Sequence, residues 1–179
     1  MAGKKAIIAD IINGLFKAKD TAYHGSPFLF ERFDATKIGS CEGMAKKGKG
    51  IYLFRTKRIA PYYANLKSPD APLHFGKSPK VENPKPTVYT VTGLNSLNLQ
   101  KVNGLEAKAI KKNQALFQSQ HPNVDGVELE TGEICIFPHA VDRLQIASRQ
   151  PVDDFVRANK GYDFRTWTTD PTRLARLGY

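Results

Sequence analysis

The chain has 179 residues, 41% hydrophobic and 10% aromatic, which is enough apolar material for one domain core. Lys and Arg number 27 against 17 Asp and Glu, so the net charge of +10 favours anionic partners without specifying a fold. No apolar run is long enough to span a membrane, and Cys41 and Cys135 lack a paired or zinc-binding spacing. We therefore expect a soluble, cytoplasmic, monomeric protein without a structural metal.

The first half of the chain predicts two helices and two short strands. Apolar residues at helical spacing predict an amphipathic helix over residues 4–19. An extended segment at 21–27 is followed by a loop rich in Gly and Lys. Residues 50–54 predict a buried strand, and 57–66 predict a helix with Pro61 in its first turn.

The second half predicts further strands around one helix. Residues 67–86 are rich in proline and lysine and predict an exposed connection, with a lid over a bound ligand as a hypothesis. After them we expect a strand at 87–91, a helix at 104–118 and strands at 126–130, 133–137 and 143–147. This order predicts an α+β protein with mostly antiparallel strands. We assign residues 1–150 to one domain and 151–179 to a C-terminal extension without a motif.

Three short segments carry the residues that could take part in catalysis or ligand binding. They are YHGS at 23–26, GKGIYLF at 48–54 with YYA at 62–64, and GEICIF at 132–137. Each alone has a simpler explanation, since a single His is usually solvated or structural and the tyrosines fit a core. Their combination in this order is more specific than any one of them.

The combination resembles the ADP-ribosyltransferases of the His-Tyr-Glu class, which includes diphtheria toxin and the poly(ADP-ribose) polymerases. The likeness covers roughly residues 23–146 and is greatest to small bacterial and phage members. Two departures are Cys41, where glycine is usual, and Leu53-Phe54, where "FA" is common. The resemblance implies a split antiparallel β-sandwich with flanking helices, and NAD⁺ as the substrate.

The resemblance also implies how NAD⁺ would be held. His24 would hydrogen-bond the adenosine ribose, and the backbone of Gly25 would pair with the nicotinamide carboxamide, because glycine permits close approach. Tyr52 would lie against the nicotinamide ring, with Tyr63 a candidate for its other face. Ser26 would add a polar contact.

Glu133 is the catalytic residue that the resemblance implies. A carboxylate beside the ribose suits an oxocarbenium-like transition state and can orient the incoming nucleophile. Glu130 is the second choice, because Glu128 and Glu130 form the "ExE" spacing of arginine-specific members. Glu133 is preferred because the apolar run after it matches the His-Tyr-Glu class.

The activity implied is mono-ADP-ribosylation of a macromolecule, protein or nucleic acid, with release of nicotinamide. An effector or toxin of a phage or bacterium fits this, and it would act in the host cytoplasm. Three alternatives stay open: an NAD⁺ glycohydrolase, a catalytically silent basic module that binds nucleic acid, and an RNA 2′-phosphotransferase of the same general fold. Product analysis separates the first from the transferase, and steep salt dependence of binding would mark the second.

Overall fold

The structure, a computed structural model, describes residues 20–39, 48–65 and 83–159 of the chain. The helix expected at 4–19 lies outside these residues, as do most of the 67–86 segment and the end of the C-terminal extension. Within the described ranges, no helix has the length and apolar composition needed to cross a membrane.

Among the residues that the structure describes, seven strands form one sheet with the order β4-β5-β6-β2-β1-β3-β7. The strands are β1 (Ala22–Ser26), β2 (Ile51–Phe54), β3 (Thr87–Thr92), β4 (Leu99–Val102), β5 (Gly126–Leu129), β6 (Glu133–Ile136) and β7 (Gln145–Pro151). Only β4 and β5 are parallel neighbours; the other neighbouring strands are antiparallel. The predicted α+β class with a mostly antiparallel sheet is confirmed at this level.

The two halves of the sheet are joined by one residue pair. Tyr23 of β1 pairs with Phe54 of β2, whereas the other neighbouring strands pair over at least three residues. β1 and β2 remain bonded at one end, so the described strands form a single sheet, with a local wedge between β1 and β2 that opens from Tyr23 and Phe54. The finer expectation of a split β-sandwich stays a prediction.

In the described ranges, four α-helices flank the sheet: α1 (Ala60–Asn65), α2 (Gly104–Lys112), α3 (Gln114–Gln120) and α4 (Val152–Ala158). The single helix expected at 104–118 is broken at Asn113, which has a non-helical conformation with φ −133° and ψ 44°. The Asn113 backbone N–H still closes the first helix by donating to the Ala109 and Ile110 carbonyls. That helix begins at Gly104 as expected, and Asn103 and Glu106 form a capping box there.

Apolar side chains cover both faces of the sheet. On one face, Leu53, Tyr89 and Ile134 belong to a cluster closed by loops. On the other face, α2 packs over β5, and Phe155 of α4 packs beside Val88 of β3. The packed fold therefore continues past residue 150, and the described start of the expected extension belongs to the same core.

Candidate functional site

The wedge between β1 and β2 contains backbone groups that no strand pairing uses. Arg55 N–H donates to the Gly132 carbonyl at 2.9 Å, and hydrogen-bonded pairs alternate along an antiparallel ladder. The N–H and C=O of Tyr52 therefore point toward β1. The same alternation can be followed from β7 through β3 to β1. It shows that the N–H and C=O of Gly25 point toward β2. In this register Gly25 and Tyr52 would form the next hydrogen-bonded pair after Tyr23 and Phe54, but the pairing ends before them.

His24 bridges this wedge with its side chain. Its Nδ1 lies 2.8 Å from the Tyr52 carbonyl oxygen, and a carbonyl only accepts, so Nδ1 carries the proton. Burial lowers the pKa of His24, and the hydrogen bond to Tyr52 opposes this only in part. The ring is therefore neutral at pH 7, and Nε2 is an acceptor that no described residue engages. A ribose hydroxyl is a suitable donor to it.

Gly25 lies where helix α1 meets the sheet. A Cβ built on Gly25 would lie 1.8 Å from the Ala60 carbonyl oxygen, so only glycine permits this approach. The helix that packs here also carries Tyr63, whose ring stacks on Phe54 with centroids 5.1 Å apart. Gly25 thus has a structural reason to be glycine, and its backbone also faces the wedge.

Tyr52 is half-buried and anchored by its hydroxyl. The hydroxyl donates to the Gly48 carbonyl at 2.7 Å. Directly across the register lies Cys135, whose pKa is raised to about 12 mainly by burial. The thiol therefore stays protonated, which excludes it as a nucleophile at neutral pH.

Glu133 begins β6 on the same sheet face as Tyr52. It pairs with Phe54, and because Glu133 and Cys135 are two residues apart on β6 their side chains lie on one face of the sheet. Tyr52 and Glu133 are diagonal cross-strand neighbours, a relation that typically separates residues by about 7 Å. Glu133 is half-buried.

The other two glutamates are placed differently. Glu128 pairs with Ile134, so its side chain lies on the opposite sheet face from Glu133. Both of its carboxylate oxygens accept from Arg55, at 3.0 and 3.1 Å. Glu130 lies exposed in the turn between β5 and β6. Of the two glutamates of the "ExE" spacing, Glu128 is therefore engaged in an ion pair with Arg55, and Glu130 is exposed to solvent.

Ser26 is buried and makes a local contact. Its Oγ accepts the backbone N–H of Phe28 at 3.1 Å, which shapes the loop after β1. It lies on the same strand face as His24, away from Gly25.

The predicted site residues divide between the two faces of the sheet. Gly25, Tyr52, Tyr63 and Glu133 share one face, while the His24 ring packs on the other and reaches the wedge through Nδ1.

Two residues that the sequence did not single out support the site. Tyr89 pairs with His24, accepts the N–H of Phe30 at 2.8 Å and donates to the Phe28 carbonyl at 2.9 Å. Gln114 hydrogen-bonds both backbone groups of Lys49. The aromatic composition of residues 28–33 is a weak signal for the first contact. Nothing local signals the second, because its partners are 65 residues apart.

In the parts of the chain that the structure describes, no group of three or more His, Cys, Asp or Glu side chains is arranged to hold a metal ion. The chain has no significant match among protein-family models, curated proteins or solved structures.

Proposed function

We propose that the chain is a mono-ADP-ribosyltransferase that cleaves NAD⁺ and transfers ADP-ribose to a macromolecule. The observation that carries this proposal is the wedge between β1 and β2, where His24, Gly25 and Tyr52 meet beside Glu133. A binding module does not call for this order of residues, whereas an NAD⁺ glycohydrolase would use the same three residues and differs only in its products. The resemblance of the three sequence segments to the His-Tyr-Glu class supports the same function.

The wedge suits a nicotinamide carboxamide. A carboxamide offers one acceptor and two donors, and the N–H and C=O of Gly25 are the matching backbone groups. Gly25 adds no side chain to the space between the strands. Tyr52 and Tyr63 lie on the same face as Gly25 and supply aromatic rings for a planar cation. His24 Nε2 supplies an acceptor for a ribose hydroxyl.

Glu133 is the residue for the bond-breaking step. The bond between the ribose C1′ and the nicotinamide nitrogen breaks, its electron pair leaves with nicotinamide, and positive charge develops on the ribose. A carboxylate close to the ribose stabilises that charge and accepts a hydrogen bond from a ribose hydroxyl. The acceptor's nucleophile then bonds to C1′ and releases its proton, and Glu133 orients that nucleophile.

The acceptor is a protein or a nucleic acid. The net charge of +10 raises the local concentration of either an acidic protein surface or a polyanion. Delivery as an effector or toxin of a phage or bacterium, acting in host cytoplasm, fits the resemblance.

The test uses Glu133→Gln, with Glu130→Gln as its matched control in the neighbouring turn. Purified protein is incubated with labelled NAD⁺ and a host-cell lysate, and both free nicotinamide and macromolecule-bound label are measured. We expect Glu133→Gln to lower nicotinamide release by roughly 100-fold or more, and Glu130→Gln to leave it within about twofold.

The products distinguish the alternatives. Label removed by protease identifies a protein acceptor, and label removed by nuclease identifies a nucleic acid. Nicotinamide release without bound label in every lysate tested would favour NAD⁺ glycohydrolysis. If the wild-type protein releases no nicotinamide under any of these conditions, the catalytic proposal is wrong.

A further inference from the structure

The break between α2 and α3 places Gln114 at the start of α3, against the chain that enters β2. Gln114 Oε1 accepts the backbone N–H of Lys49 at 2.6 Å, and Gln114 Nε2 donates to the Lys49 carbonyl at 2.8 Å. One side-chain carboxamide therefore engages both backbone groups of one residue, as a neighbouring strand does. This pair of bonds is called the Gln114 clamp below.

By holding the backbone of Lys49, the clamp also restrains Gly48, the residue before it. Gly48 has a φ of 119°, and a Cβ at this position would lie 2.8 Å from Gln114 Oε1. The Gly48 carbonyl is the acceptor for the Tyr52 hydroxyl at 2.7 Å. The position of that carbonyl therefore depends on the backbone that Gln114 holds.

Resting on the proposed function, in which Tyr52 lies against the nicotinamide ring, we propose that Gln114 is a positioning residue for Tyr52. It acts through the backbone of Gly48 and Lys49, which anchors the Tyr52 hydroxyl and so sets the plane of the ring. Gln114 itself belongs to a helix on the flank of the sheet and has no role in bond breaking.

The kinetic consequence follows from the charge of nicotinamide. Stacking on the ring is favourable while the ring is cationic in bound NAD⁺, and the ring loses this charge as its bond to ribose breaks. The interaction therefore contributes more to the bound substrate than to the transition state. Losing the clamp should therefore raise KM for NAD⁺ and leave kcat nearly unchanged.

Gln118 offers a matched control on the same helix. It lies one turn after Gln114, and its Nε2 contacts the His139 ring at 3.3 Å, away from the Lys49 backbone. Gln118→Ala removes the same side chain from the same helix without touching the clamp. General effects on α3 should therefore be shared by Gln114→Ala and Gln118→Ala, and effects on Tyr52 should not.

The experiment measures kcat and KM for nicotinamide release in both variants, together with NMR resonances of tyrosine-labelled protein in which Tyr52 is assigned through Tyr52→Phe. We expect Gln114→Ala to raise KM for NAD⁺ about three- to tenfold, with kcat within about twofold. It should also shift the Tyr52 ring resonances, whereas Gln118→Ala changes neither.

An unchanged Tyr52 signal in Gln114→Ala would overturn the proposal, and so would an equal rise in KM in the two variants. The resonances keep this result separate from the proposed function. If the wild-type protein releases no nicotinamide but Gln114→Ala still shifts Tyr52 selectively, the proposed function fails and the clamp stands.

Discussion

At the scale of single residues, His24 shows how surroundings select one chemical form. Three aromatic rings, Phe30, Phe33 and Tyr89, have centroids within 6.1 Å of the imidazole. Such neighbours solvate a charge poorly, so the neutral ring is favoured. The Tyr52 carbonyl then selects the tautomer with the proton on Nδ1. The result is a histidine prepared to accept a hydrogen bond through Nε2.

The lowered pKa of His24 makes the stability of the fold depend on pH. An unfolded histidine titrates near pH 6.5, whereas folded His24 has a lower pKa. As the pH falls below 6.5, His24 therefore becomes protonated in the unfolded chain before it does so in the folded chain. The stabilisation is present above about pH 6.5 and is lost as the pH falls toward the lower folded pKa. His24→Asn keeps an N–H donor and does not titrate, so the wild-type advantage in unfolding free energy should shrink between pH 7.5 and 5.5.

Urea unfolding at several pH values measures this difference. His24 is one of four histidines in the chain, so the comparison with His24→Asn isolates its contribution. Parallel pH profiles for the two proteins would show that His24 titrates normally in the folded state.

At the scale of elements, the contact between β1 and α1 joins the wedge to the helix that carries Tyr63. Helix α1 reaches β1 at Gly25, with the Ala60 carbonyl in the space that a side chain would fill. The six residues of α1 are too short to be stable alone, so this packing decides where the helix lies. The position of Tyr63 therefore depends on a glycine on a different element.

Gly25→Ala should be strongly destabilising for this reason. The new methyl group meets backbone that cannot rotate away, and we expect a loss of roughly 3 kcal/mol in the unfolding free energy. Gly104→Ala is the matched control, because nothing lies within 4 Å of a Cβ at this exposed helical position. It should change stability by less than about 1 kcal/mol, in the favourable direction. Equal effects in urea unfolding would contradict the close approach of α1 to Gly25.

At the scale of the whole molecule, α4 closes the face of the sheet that carries α1. Phe155 is buried against the Tyr23 ring, with centroids 6.3 Å apart at an angle of 61°. The first residues after position 150 are therefore part of the core that supports β1. This packing holds the strand from which His24 and Gly25 project.

Removing the Phe155 ring should destabilise the protein as a core substitution does. We expect Phe155→Ala to lower the unfolding free energy by about 3 kcal/mol. Arg157→Ala is the control on the same helix, since the Arg157 and Asp154 side chains that pair there are both exposed. It should stay within about 0.5 kcal/mol of wild type. A small effect of Phe155→Ala in thermal or urea unfolding would argue that α4 is dispensable to the core.

Much of the local structure could be predicted because the signals are local. The apolar run at 50–54 predicted β2 to within one residue, and the β-branched run at 87–91 predicted β3. The edge strands were harder. β4 was not predicted, since its burial does not alternate, and β7 begins at Gln145 and continues to Pro151 with mostly exposed side chains. Edge strands lack the regular burial on which pattern reading depends.

The sequence by itself determined the order of the three motif segments and predicted the mostly antiparallel α+β class, while the preference for Glu133 over Glu130 as the catalytic residue stays a prediction. Only the tertiary structure decided that Glu133 shares a face with Tyr52, that Arg55 engages Glu128, and that Gln114 reaches Lys49. These relations depend on strand register and on contacts between distant segments. A shift of one residue in register moves a side chain to the opposite sheet face, and no local pattern specifies partners so far apart in the chain.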